Sequence, residues 1–217
     1  MDQNIIIAQT AELVKNVLKG AEGGHDWWHI NRVWKTAKTI ADEENVDKFV
    51  VELAALLHDI ADAKFHDGDE EIGPARATEI MCSFSIDISV VEHVVQIIRY
   101  MSFKASLGKI SFHSPELAVV QDADRLDAIG AIGIARAFNY GGFKNRELYN
   151  PEVPPNLRMS REEYKNTSAP TINHFYEKLL LLKDKMNTNT GRRMAQERHQ
   201  FMEQYLDQFY AEWDGRK

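Results

Sequence analysis

The chain has a single cysteine, Cys82, among 217 residues. One thiol excludes an internal disulfide and any cage of several thiolates around a metal. Its neighbours Ile80, Met81 and Phe84 predict a buried structural thiol rather than a nucleophile. Long apolar runs are lacking too: no window approaches the roughly 18 apolar residues of a membrane span. The start, Met1-Asp2-Gln3-Asn4, has no basic region ahead of its short apolar patch, so a secretory signal is not expected and a cytoplasmic location is. Positive charge is in deficit. Lys and Arg number 26 against 33 Asp and Glu, for a net charge of -7. A nucleic-acid polymer is therefore not an expected partner, because phosphate backbones need clustered cations. A small phosphorylated substrate needs only a few local cations and stays open. Proline is scarce and uneven: four of the six lie within 141–170.

What is present is helical. The composition, 44% hydrophobic and 27% charged, is that of an ordinary globular chain, and the length fits one domain over 1–217. Residues 5–19 read as an amphipathic helix stopped by Gly20. In 27–44, Ile30, Val33, Trp34, Ala37, Ile40 and Ala41 recur at helical spacing. Asp47 is a good N-cap for a third helix through His58. Helices are also expected over 74–82, over 88–100 with Asp87 as cap, and from Ser114-Pro115 to about Asp127. A further stretch reaches Tyr140, where Gly130, Ala131, Gly133 and Ala135 permit close contact at some cost in propensity. The proline-rich segment 141–170 reads as a surface excursion, a lid or a partner contact. Helices over about 170–186 and 191–212 close the chain. No strand shows alternation with turn signals, so the fold class is all-α.

Within this pattern, polar groups stand where a core helix should be apolar. The run Ala54-Ala55-Leu56-Leu57 ends directly in His58-Asp59. Buried carboxylates are costly without a partner, and a negative charge at a helix C-terminus opposes the macrodipole. Either both side chains reach solvent at the helix end, or a divalent cation offsets the costs together, since imidazole nitrogen and carboxylate oxygen both ligate such ions. Asp62 follows four residues after His58; on a continued turn it faces the same pocket and can orient or deprotonate a water. The alternative is an exposed acid in an acidic loop. His25 and His29 are four apart and share a face if their helix starts early enough, with Arg32 beside them. They are either surface or capping histidines, or metal or phosphate contacts. In VVQDADRLDAIGAIGIA (119–135), Asp122, Asp124 and Asp127 interrupt core residues. Asp124 and Asp127 adjoin on one face, Asp122 points away, and one of the near pair can complete a metal site.

The ordered set His29, His58-Asp59, Asp124 resembles the H…HD…D signature of the HD-domain metal-dependent phosphohydrolases. GHDWWHINRV and LLHDIADAKF further resemble a subgroup of small bacterial HD hydrolases that includes a nucleoside triphosphate pyrophosphohydrolase. The motifs cover about 24–140. The resemblance implies an all-helical bundle with a metal in its core, held by His29, His58, Asp59 and Asp124. It implies that Asp62, Asp where several relatives have the longer Glu, assists the attacking water. Asp127 matches no ligand position and is expected to support the ligands from behind. His25 falls outside the ligand set and is expected either to contact the substrate or to support the ligands from behind. His93 is expected in the core, and His66 and His113 in loops.

Two histidines and two carboxylates suit Mn, Fe, Co or Ni, and Mg less naturally. One divalent ion would lower the pKa of a water and polarise a phosphoryl oxygen. Cations must hold the phosphates, and Arg32, Lys64, Arg99, Lys104, Lys109 and Arg125 are the candidates, Lys64 first by its nearness to Asp62. The expected activity is hydrolysis of a nucleoside triphosphate to monophosphate and pyrophosphate. A nucleotidase, a cyclic-nucleotide phosphodiesterase, an alarmone hydrolase and a metal-binding sensory or scaffold domain without turnover are the alternatives. Trp27 and Trp28 are candidates for a homodimer surface.

Overall fold

A computed structural model describes residues 2–20, 26–61, 69, 71–101, 112–159 and 167–217. Among these residues every regular element is a helix, so the chain is all-α. It divides into two compact units, Met1–Asp124 and Arg125–Lys217.

The first unit is built on α1 (Gln3–Val17), α2 (Trp27–Glu43), α3 (Lys48–Leu57), α4 (Ile72–Ser83), α5 (Ile88–Met101) and most of α6 (Pro115–Asp127). The helix starts are chemically marked. The carboxylates of Asp2, Asp26, Asp47 and Asp87 accept backbone N–H groups of the first turns of α1, α2, α3 and α5, and Ser114 Oγ does so for α6. These side chains satisfy donors that a helix leaves open at its N-terminus. Helix α3 is apolar nearly all round, with Val50, Val51 and Leu53 to Leu57 buried. Such a helix belongs inside, and α3 packs against α1, α2 and α5. Leu53, Leu56 and Leu57 are fully buried, each contributing roughly 1.5–3 kcal/mol. That burial fixes the rotation of α3 and hence the direction in which its end points.

Two expectations fail in this unit. Cys82 is exposed. On α4 the inward positions go to Gly73, Pro74, Ala77 and Met81, which leaves the next residue turned to solvent. His93 is half-buried rather than core: its Nε2 is 2.9 Å from Ser114 Oγ and 3.5 Å from a Glu116 carboxylate oxygen. Polar partners at the start of α6 hold the ring at the edge of the unit.

The second unit contains α7 (Gly130–Phe143), α8 (Asn173–Glu177), a 3-10 helix (Leu179–Lys185) and α9 (Asn189–Trp213). The single helix expected over 170–186 is broken. Lys178 leaves the helical region at φ -145°, and the chain resumes in the tighter 3-10 form. Helix α9 packs against α7 and the 3-10 helix. The proline-rich excursion is tied down where it is described. Thr171 and Ile172 donate backbone N–H groups to the carbonyls of Glu147 and Leu148 at 2.9 and 3.0 Å. The ring of Tyr149 meets those of Tyr210 and Trp213 at 5.3 and 5.0 Å, while Leu148 and Leu157 stay exposed.

Candidate metal centre

The site forms where the buried end of α3 meets α2. Helix α3 stops at Leu57, and His58 keeps helical dihedrals as its cap. Its side chain is 4% exposed. His58 Nδ1 lies 2.9 Å from the Ala55 carbonyl oxygen. A carbonyl can only accept, so Nδ1 carries the proton, and in the neutral ring Nε2 bears the lone pair. That Nε2 is buried and has no hydrogen-bond partner. Such a group costs about 1–3 kcal/mol unless something fills the position. A carbonyl on one ring nitrogen and an open lone pair on the other is the arrangement of a histidine oriented toward a metal.

His29 comes from α2. Asp26 caps that helix by accepting the His29 backbone N–H at 2.9 Å, which pins the residue at the entry of the helix. Its side chain is 3% exposed, with Nε2 3.8 Å from Asp59 Oδ2 and 3.5 Å from Asp124 Oδ1. The two imidazole rings stand at 71° with centroids 5.5 Å apart. Trp34 Nε1 donates to Glu52 Oε2 at 2.8 Å, a tether that sets α2 against α3 and so His29 against His58.

One ligand atom each from His29, His58 and Asp59 lie within 4.8 Å of one another. Asp124, on α6, reaches the same corner through His29, and its side chain is 42% exposed. Two buried nitrogens and one or two carboxylates, with the exposed edge at Asp124, can hold a first-row divalent ion with positions left for water and substrate. The donor set and the orphaned Nε2 both fit such an ion.

The other residues named from the sequence are placed as follows. Arg32 is half-buried on α2, one turn beyond His29. Arg99 is held by Glu71, Nη2 to Oε2 2.6 Å. Arg125 turns Nη1 to the Lys185 carbonyl at 2.6 Å. Asp127 is buried and ion-paired with Arg136. His25, Asp62, Lys64, His66, Lys104 and Lys109 lie outside the described residues. Sequence reasoning passed over Asp26 and the pair Trp34 and Glu52. Asp26 carried a signal, an acid directly before a helical apolar pattern. The tether carried none, because its partners are 18 residues apart.

Residues 27–129 match the HD domain. The Bacillus subtilis (strain 168) protein YpgQ is 40% identical over 204 residues, 93% of this chain and 91% of its own. A crystal structure of an HD-superfamily hydrolase from Bacillus thuringiensis superposes with a TM-score of 0.79 at 41% identity, covering 98% of this chain and 99% of that one. The crystal structure of Bacillus subtilis YpgQ in complex with ADP gives 0.77 at 39%, covering 98% and 97%.

Proposed function

Because the chain belongs to the HD-domain family, among HD-superfamily hydrolases, we propose that it is a divalent-metal-dependent phosphohydrolase acting on nucleotides. The specific reaction is cleavage of a nucleoside triphosphate to monophosphate and pyrophosphate. The observation that carries the proposal is the His29, His58 and Asp59 cluster with the unpartnered, buried Nε2 of His58. The ADP complex of YpgQ supports a nucleotide as the ligand class.

In this reading His29, His58, Asp59 and Asp124 hold one divalent ion, of the Mn, Fe, Co or Ni type before Mg. Such an ion supplies a water of lowered pKa and a polarised phosphoryl oxygen. The carbonyl of Ala55 keeps the His58 ring in the tautomer that presents Nε2. Asp26 and the Trp34–Glu52 tether keep His29 opposite it. Asp62 accepts the proton of the attacking water as the water oxygen bonds to phosphorus and the phosphoanhydride bond joining the monophosphate to the pyrophosphate breaks. Lys64, His25, Arg32, Arg99, Lys104 and Arg125 are the groups from which the phosphate contacts are drawn. Of these, Arg99 and Arg125 must exchange the Glu71 carboxylate and the Lys185 carbonyl for phosphate oxygens.

The test is product analysis. Metal-loaded protein is incubated with a panel of nucleoside triphosphates, and pyrophosphate is resolved from orthophosphate. Pyrophosphate with the monophosphate is expected. Orthophosphate as the first product overturns the specific reaction. No turnover with any of several divalent ions overturns catalysis and favours a metal-binding sensory role.

A further inference from the structure

Helix α2 exposes one large apolar side chain, Trp28, at 62%. Single exposed apolar residues are common on protein surfaces, so exposure alone carries nothing. Position and type carry more. Trp28 directly precedes His29, and it is four residues before Arg32. On a helix, residues four apart share a face, and successive residues are turned by about 100°. The order around α2 is then the buried Val33, His29 at the edge of the core, the half-buried Arg32, and Trp28 in solvent. The rim that leads out of the metal corner therefore ends on an indole. By contrast, Trp34 spends its N–H on Glu52 and acts in packing. An indole offers the largest aromatic face among side chains, and heterocyclic bases stack on such faces.

We propose that Trp28 is the stacking platform for the base of a nucleotide whose phosphates occupy the His29, His58 and Asp59 corner. This rests on the phosphohydrolase reading above and deepens it to the recognition of the base. The sugar and phosphate chain bridge the step from the corner to the rim. Stacking tolerates base identity, so several bases are accepted, and purines, with the larger ring system, bind more tightly than pyrimidines.

The test separates base from phosphate. The Mn2+-loaded full chain, as wild type, Trp28→Ala and Trp28→Phe, is titrated calorimetrically with ADP and with inorganic pyrophosphate, which lacks a base. Trp28→Ala is expected to weaken ADP by roughly 5- to 150-fold, the range that removal of one stacking aromatic gives, while pyrophosphate changes by less than about twofold. Trp28→Phe, which keeps a ring, is expected to restore most of the ADP affinity. Equal ADP affinity in wild type and Trp28→Ala overturns the proposal. So does a parallel loss of pyrophosphate binding, which marks general damage, and so does wild type that binds no ADP. Wild type that shows the expected Trp28 dependence yet hydrolyses no nucleotide leaves the stacking assignment standing and sinks the phosphohydrolase reading alone.

Discussion

Lowering the pH from about 7 to 4 protonates an exposed histidine at little cost, but His174 is not placed like one. It sits on α8, and burial, then the cations of Lys178 and Arg146, push its pKa from 6.5 down to about 4. The ring is neutral in the fold and takes up a proton only when the chain opens. Above about pH 6.5 both states are neutral, and its contribution to stability is complete. As the pH falls from 6.5 toward 4, the unfolded chain binds a proton that the folded chain refuses, and stability is lost through that window. At about 1.36 kcal/mol per pH unit, the loss reaches at most roughly 3 kcal/mol. His174→Phe removes the titrating group and keeps an aromatic ring. The assay is urea denaturation of both proteins at intervals between about pH 7.5 and 4. Carboxylates titrate alike in the two, so the difference between them isolates the histidine. That difference should move by up to roughly 3 kcal/mol in favour of His174→Phe as the pH drops. A difference that stays constant within about 0.5 kcal/mol, the scale of an ordinary surface change, refutes the assignment of a half-buried ring held neutral.

Arg136→Ala strands the buried carboxylate of Asp127, and losing one partner of a buried pair costs about 3–5 kcal/mol. The low end is expected, because the Arg198 guanidinium also interacts with Asp127, and a denaturation midpoint equal to wild type contradicts it. Gly133→Ala drives a methyl group into the Ala128 carbonyl oxygen, where a backbone atom cannot yield as a side chain would. A loss of about 1–3 kcal/mol is expected from such overpacking, and unchanged thermal stability contradicts the close approach.

The all-α class was legible because the helical signals are local and strong. Acidic caps before apolar runs marked α3 and α5, helical spacing of apolar residues marked α2, and Ser114-Pro115 marked α6. Local rules failed where tertiary geometry decides. The leucine run at 179–182 looked like ordinary helix, yet Lys178 breaks the backbone and the chain tightens to 3-10. Cys82 has apolar neighbours in sequence, but on α4 the inward stripe passes through Ala77 and Met81 and misses it. His93 sits among valines and isoleucines and still turns to Ser114. At the candidate site, an apolar run ending in polar groups marked His58 and Asp59, and it was the resemblance to the H…HD…D signature that joined His29 to them. The supports were not legible. The Ala55 carbonyl that sets the His58 tautomer is a backbone group present at every residue, and only the fold shows which one is used.

The central claim is that His58 presents an open Nε2 lone pair to a divalent ion. The most direct measurement is calorimetric titration of metal-free wild type and His58→Ala with Mn2+ and Co2+, with helicity checked by circular dichroism. Wild type should bind one ion per chain, and His58→Ala should keep its helicity and lose that binding. Undiminished binding of one ion by folded His58→Ala would contradict the account.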